Sequence, residues 1–296
     1  MFSRRHPFLF FLLSFSAIMM GGIIILSLLV TLGSTGSNIV FNEKIGIIEI
    51  SGIITDAKNV IYSLKQFRED DSIKAIVLRI DSPGGGVGPS QEIFREIRKT
   101  IKSKKVIASL GAIAASGGYY AAAGADGIVA NPGTITGSIG VIMSYTNFRE
   151  VLNKIGLMPI VVKSGEFKDI GSPVREMTDR ERKLLKGFVD TVHRQFVSAI
   201  MEGRKMDRSK VEAIADGRIL SGESAKTLGL VDRLGNLEDA VEWAGRLGGI
   251  EGKIYTVYSR EKKVPFIKYL IDSYAGEFIS NTINPGLHGG YLYSPN

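Results

Sequence analysis

The 296-residue sequence is 44% hydrophobic and 23% charged, enough for one large apolar core with an anchor besides. Its formal net charge is +7, but Lys and Arg alternate with Asp and Glu, as in Asp179-Arg180-Glu181-Arg182-Lys183. The one-sided basic stripe of a nucleic-acid binder is missing, so no nucleic-acid partner is expected. Cysteine is absent, which excludes a disulfide framework, a thiolate metal site and a cysteine nucleophile.

The N-terminal segment carries Arg4 and Arg5 and then no Asp, Glu, Lys or Arg until Glu43. Residues 8–32 form a nearly unbroken apolar run. The run exceeds both the roughly 20 residues of a membrane span and the roughly 7–15 of a cleavable signal. Gly33-Ser34-Thr35-Gly36 is a poor cleavage site. Residues 1–33 therefore read as a cytoplasmic N-terminus and an uncleaved transmembrane signal-anchor helix. The flanking arginines keep the N-terminus inside and the rest of the chain outside the cytoplasm.

Residues 34–44 read as a linker, 45–262 as one domain and 263–296 as a tail of weaker pattern. Within the domain, strands are expected at 45–54, 74–80, 105–110, 127–130, 139–143, 159–163 and 253–259. Helices are expected at 59–69, 90–101, from about 116, and at 148–155, 178–201, 221–228 and 237–247. The longest opens with Thr178-Asp179-Arg180-Glu181, a capping box. Short strands alternating with helices point to an α/β architecture with mainly parallel pairing.

The chemistry is constrained by what is missing. The three histidines are His6, His193 and His288, and His193 reads as an ordinary residue of the long helix. No Gly-x-Ser-x-Gly elbow, His-Glu-x-x-His or phosphate-binding loop occurs. A hydrolase built on this chain needs another base, and a desolvated lysine can serve.

Four polar islands stand out. Asp81-Ser82-Pro83-Gly84-Gly85-Gly86 is either a turn or a place where backbone N–H groups approach a ligand. Ser116, in Ala115-Ser116-Gly117-Gly118-Tyr119-Tyr120, is either an N-cap or a nucleophile at a helix N-terminus. The others are Thr136-Gly137-Ser138-Ile139-Gly140 and Ser164-Gly165-Glu166-Phe167-Lys168-Asp169. Lys168 taken alone reads as a solvated lysine.

In this order, behind an N-terminal anchor, the four islands resemble the signal peptide peptidase A family, peptidase family S49, in its short single-domain form. The resemblance covers about residues 45–258. It implies a Clp-protease/crotonase-like α/β fold, a repeated ββα superhelix, and a serine endopeptidase without metal or cofactor. The nucleophile falls on Ser116, the general base on Lys168, and the lysine-orienting hydroxyl on Ser138. The oxyanion hole falls on Gly117 and on Gly85, favoured over Gly84. Also implied are signal-peptide remnants and other short hydrophobic peptides as substrates, at the outer side of the bacterial cytoplasmic membrane. A homo-oligomer is implied too, in which neighbouring subunits can complete one site. The rival readings are a crotonase-type acyl-CoA enzyme, a non-catalytic membrane scaffold, and a Ser-x-x-Lys hydrolase using Ser259 and Lys262.

Overall fold

A computed structural model describes residues 7–34, 43–259 and 290–292. Arg4 and Arg5, most of the linker, Lys262 and the tail other than 290–292 lie outside the described residues. The chain divides into two units, Met1–Asn42 and Glu43–Asn296. The first contains α1 (Pro7–Ser34), a helix of 28 residues with no acidic first turn and no basic last turn. Over the described residues alone, no helix is long and apolar enough to cross a membrane. Side chains of α1 at 7, 9, 10, 13 and 29–34 fall outside that set.

The second unit is a nine-stranded sheet with helices on both faces. It runs β1 (Lys44–Ile54), α2 (Lys58–Glu69), β2 (Ile73–Gly86), α3 (Val87–Thr100), β3 (Lys105–Ala115) and α4 (Gly117–Ala122). Next come β4 (Gly127–Ala130), β5 (Ile135–Gly137), α5 (Arg149–Lys154), α6 (Asp179–Arg204), α7 (Arg208–Glu212) and β6 (Ile219–Ser221). Last are α8 (Gly222–Thr227), β7 (Arg233–Leu234), α9 (Leu237–Gly248), β8 (Tyr255–Tyr258) and β9 (Gly290–Leu292). The strand order is β6-β5-β3-β2-β1-β8, with β4 joining β3 to β7 and β9 lying on β2. All pairings are parallel except β5–β6 and β2–β9.

The alternation of apolar residues explains why both faces are covered. Ile48, Ile50, Ile76, Leu78, Ile80, Val106, Ala108 and Leu110 pack in the larger core cluster. Ile45, Ile47, Ala75, Val77, Ile107 and Val129 point the other way, onto Ala240, Val241 and Ala244 of α9. Central parallel strands buried on both faces need near-continuous aliphatic runs, and these strands have them.

Three expectations need correction. The Asp81–Gly86 segment is not a turn, because β2 continues to Gly86 with Ile53 and Ile54 opposite Gly84 and Gly85. Residues 139–143 are not a strand: β5 ends at Gly137, and Ser138, at φ 49°, turns the chain off the sheet. Residues 159–163 likewise pair with no strand among the described residues, and Ile160 and Val162 are 90% and 97% exposed.

Candidate active site

Ser116 occupies the junction between β3 and α4 with φ 52° and ψ −117°. A non-glycine residue held there costs about 1–3 kcal/mol, which persists only where the surroundings enforce it. They do so here. The Ser116 N–H donates to Gly137 O at 2.9 Å and its carbonyl accepts from Tyr120 N–H at 2.8 Å. The residue is 1% exposed, yet its hydroxyl makes no capping bond to α4. An ordinary N-cap role is thereby removed, and the Ser116 side chain leaves the first-turn N–H groups unused.

Helix α4 is too short to hold itself and is fixed by packing. Tyr119 is fully buried, donates its hydroxyl to Leu230 O at 2.8 Å, and has its phenol pKa pushed well up by burial. The Tyr120 ring lies 5.3 Å from Phe94 and 4.7 Å from Phe196, centroid to centroid. Gly118 lets α4 come against β2, since a Cβ there would sit 2.8 Å from Ser82 O.

Ser138 follows β5 directly, is 8% exposed and donates its N–H to Arg218 O at 2.8 Å. Because Ala115 pairs with Gly137, Ser116 and Ser138 leave the ends of two adjacent parallel strands. Thr136, fully buried, donates its hydroxyl to Ala114 O at 2.7 Å and locks those ends together. Sequence reasoning did not single it out, although it stands inside the Thr-Gly-Ser island.

The glycine strand forms the other wall. Ser82, fully buried, donates to Gly52 O at 2.6 Å and accepts from Gly84 N–H at 3.1 Å. Here too the serine's structural role went unread in the sequence. Gly85 must lack a side chain, since a Cβ would lie 2.2 Å from Ile54 O. Beyond Ser82 this strand is free of β3, and β9 pairs with it antiparallel, Gly84 opposite Leu292 and Gly86 opposite Gly290. An extended chain therefore fits this edge.

Lys168 is elsewhere in character. It is exposed, on a turn closed by Lys168 N–H to Gly165 O at 3.2 Å and Ile170 N–H to Phe167 O at 3.1 Å. Among the described residues no hydrogen bond joins it to Ser116 or Ser138, and no carboxylate pairs with it. The desolvation expected of Lys168 is not supplied within one chain, because residues 141–177 project from the sheet and are largely exposed. Its charged neighbours are engaged otherwise. Asp169 accepts from Lys163 Nζ at 2.6 Å and from Arg175 Nε at 2.8 Å, and these bonds hold its carboxyl well below the usual range. Glu166 accepts from Arg180 at 2.7 and 3.0 Å. Beside this turn, Met143, Phe167, Ile170, Leu184 and Phe188 line a mostly apolar cavity of about 880 Å³.

The chain matches Peptidase family S49 over residues 98–251 and Clp protease over 38–135. It is 44% identical over 230 residues to a candidate protease of Synechocystis sp., covering 77% of this chain and 83% of that one. It is 38% identical over 215 residues to a candidate signal peptide peptidase SppA of Enterococcus faecium, covering 68% and 62%. Protease 4 of Salmonella typhi is 33% identical over 214 residues, which is 72% of this chain and 34% of that protein. The chain thus belongs to peptidase family S49 and is an enzyme of the serine peptidase class.

Proposed function

We propose that the protein is a membrane-anchored serine endopeptidase with a Ser116–Lys168 dyad, degrading cleaved signal peptides and other short hydrophobic peptides at the outer side of the cytoplasmic membrane. The observation that carries the reading is Ser116 itself, a buried, strained and uncapping hydroxyl beside a glycine edge that takes an extended chain. A peptide adding to that edge would gain main-chain hydrogen bonds regardless of its sequence.

In the reaction, neutral Lys168 takes the Ser116 proton as the hydroxyl oxygen attacks the scissile carbonyl. The N–H groups of Gly117 and Gly85 stabilise the oxyanion, a contribution of about 10²–10³ in rate per donor. Gly84 is the poorer candidate because its N–H already donates to Ser82. Lys168 returns the proton to the leaving amine, and water then releases the acyl group from Ser116. Ser138, on the strand end beside Ser116, orients the lysine amine in this scheme.

Lys168 is exposed and apart from both serines, so the reading includes a homo-oligomer in which a neighbouring copy supplies the lysine and the burial that neutralises it. Exposed Met158, Ile160 and Val162 on the same projecting segment favour such a contact. The apolar cavity beside Phe167 favours apolar substrate side chains. The 28 residues of α1, at 1.5 Å each, would extend about 42 Å against a hydrocarbon core of about 30 Å. The repeated ββα superhelix belongs to the same proposal.

Full-length protein in detergent should cleave a fluorogenic signal-peptide substrate, with the Ser116→Ala variant inactive. Equal cleavage by both would refute Ser116 as nucleophile.

A further inference from the structure

We propose that Arg175 is the positioning residue of the Lys168 turn, tying Asp169 on that turn to Glu181 in the first turn of α6. The inference rests on the dyad reading above and goes beyond it. One guanidinium serves both carboxylates. Its Nε and Nη2 donate to Asp169 at 2.8 and 2.9 Å, and Nη2 also to Asp169 O at 3.1 Å. Nη1 donates to Glu181 Oε2 and to Glu176 O, both at 2.9 Å, and Nη2 also reaches Glu181 Oε1.

The far end of this tie is buried and capped. Glu181 is 2% exposed, accepts the Thr178 N–H at 2.8 Å and completes the capping box of α6. Helix α6 is seated in the core through Val192, Phe196, Val197 and Ile200. Order therefore passes from the core through α6, Glu181 and Arg175 to Asp169, the residue next to Lys168. Without it the turn projects from the sheet with an exposed lysine and little packing.

The clamp also separates charges. The groups surrounding the turn are Lys163, Glu166, Asp169, Arg175, Arg180, Lys183 and Glu181. Each of the three carboxylates has a cation other than Lys168. A lysine meant to accept a proton is thus kept from the adjacent Asp169, which would otherwise hold it charged. Lysine cannot replace arginine here, because a point-like ammonium cannot bridge two carboxylates in one plane.

Steady-state kinetics on the full-length protein across a pH series test this, using Arg175→Gln, Arg175→Lys, Asp169→Asn and the Asp169→Asn/Arg175→Gln pair. Arg175→Gln should lower kcat on the order of 10²-fold with little change in KM, the effect of a misplaced catalytic group. The rising limb of kcat against pH should move to higher pH. The double variant should be no slower than Arg175→Gln alone, since both remove one interaction. If Arg175→Gln fails to fold, Arg175→Lys, which keeps a cation beside Glu181, should still show the kcat loss. A folded Arg175 variant with parental kcat and pH profile overturns the positioning role alone. Multiplicative losses in the double variant, or a kcat loss that only tracks melting temperature, also overturn it. A parent that does not cleave, or whose cleavage survives Ser116→Ala, overturns the reaction and this role with it.

Discussion

The Ser116 N–H donates to the carbonyl of Gly137, so the two candidate serines, Ser116 and Ser138, are joined through the main chains of neighbouring strands. Their separation is set by sheet register rather than by side-chain rotamers. Preorganisation of this kind costs nothing at the moment of reaction.

The strain at Ser116 is open to a direct stability measurement. At φ 52° and ψ −117° glycine is unstrained, whereas serine or alanine is held there at a cost of about 1–3 kcal/mol. Against this stands the extra chain entropy of glycine, about 0.5–1 kcal/mol. Ser116→Gly should therefore melt above Ser116→Ala in calorimetry, with both inactive. A glycine variant melting at or below the alanine variant would contradict the strain.

Lys168→Ala should separate activity from stability. Within one chain the side chain is exposed and has no ion pair among the described residues, so the change in the subunit's own folding free energy should stay within about 0.5 kcal/mol. Peptide cleavage should fall to background at every pH. Parental turnover in this variant would remove the lysine from the mechanism.

Acid should loosen the Arg175 clamp in a defined window. The Arg175 hydrogen bond, helped by the Thr178 N–H, lowers the Glu181 carboxyl to about 2, and Asp169 is depressed likewise. Both groups are depressed in the folded state, so their contribution is complete above the ordinary carboxylate range near 4 and is lost as pH falls toward about 2. Melting temperature should drop across that window in the parent and drop less in Arg175→Gln. Identical slopes in the two proteins would dissociate the clamp from acid stability.

The antiparallel pairing of β9 with Gly84–Gly86 gives a fourth test. A chain ending at residue 289 lacks β9 and leaves that edge open. Its KM for an extended peptide should fall, with kcat unchanged. An unchanged KM would mean that substrate does not use this edge.

Legibility in the sequence followed the range of the forces involved. The central strands were readable because burial on both faces demands aliphatic runs such as Ala75–Leu78, and α6 because Thr178 and Glu181 write its start locally. The glycine run allows a turn as one of its two readings because only a partner strand distant in sequence, ending at Ile54, makes it extended. Residues 139–143 and 159–163 have strand-like composition, but composition does not reveal that no neighbouring strand continues beyond an isolated bridge at Ile142. The site showed the same limit. Ser116 stood out through its flanking glycines, whereas Thr136 and Ser82 act through single bonds to distant carbonyls, Ala114 O and Gly52 O.

Strand β2 leaves the centre of the core at Ile80 and reaches the glycine edge at Gly86 without a break in the element. Adaptation is therefore unequal across this enzyme. Changes near the glycine edge or Ser116 propagate into packing, as the 2.2 Å approach of a Gly85 Cβ to Ile54 O illustrates, and natural drift there should be slow. The projecting residues 141–177 carry little of the core, so that segment is where related enzymes can diverge in selectivity and where a protein engineer should begin.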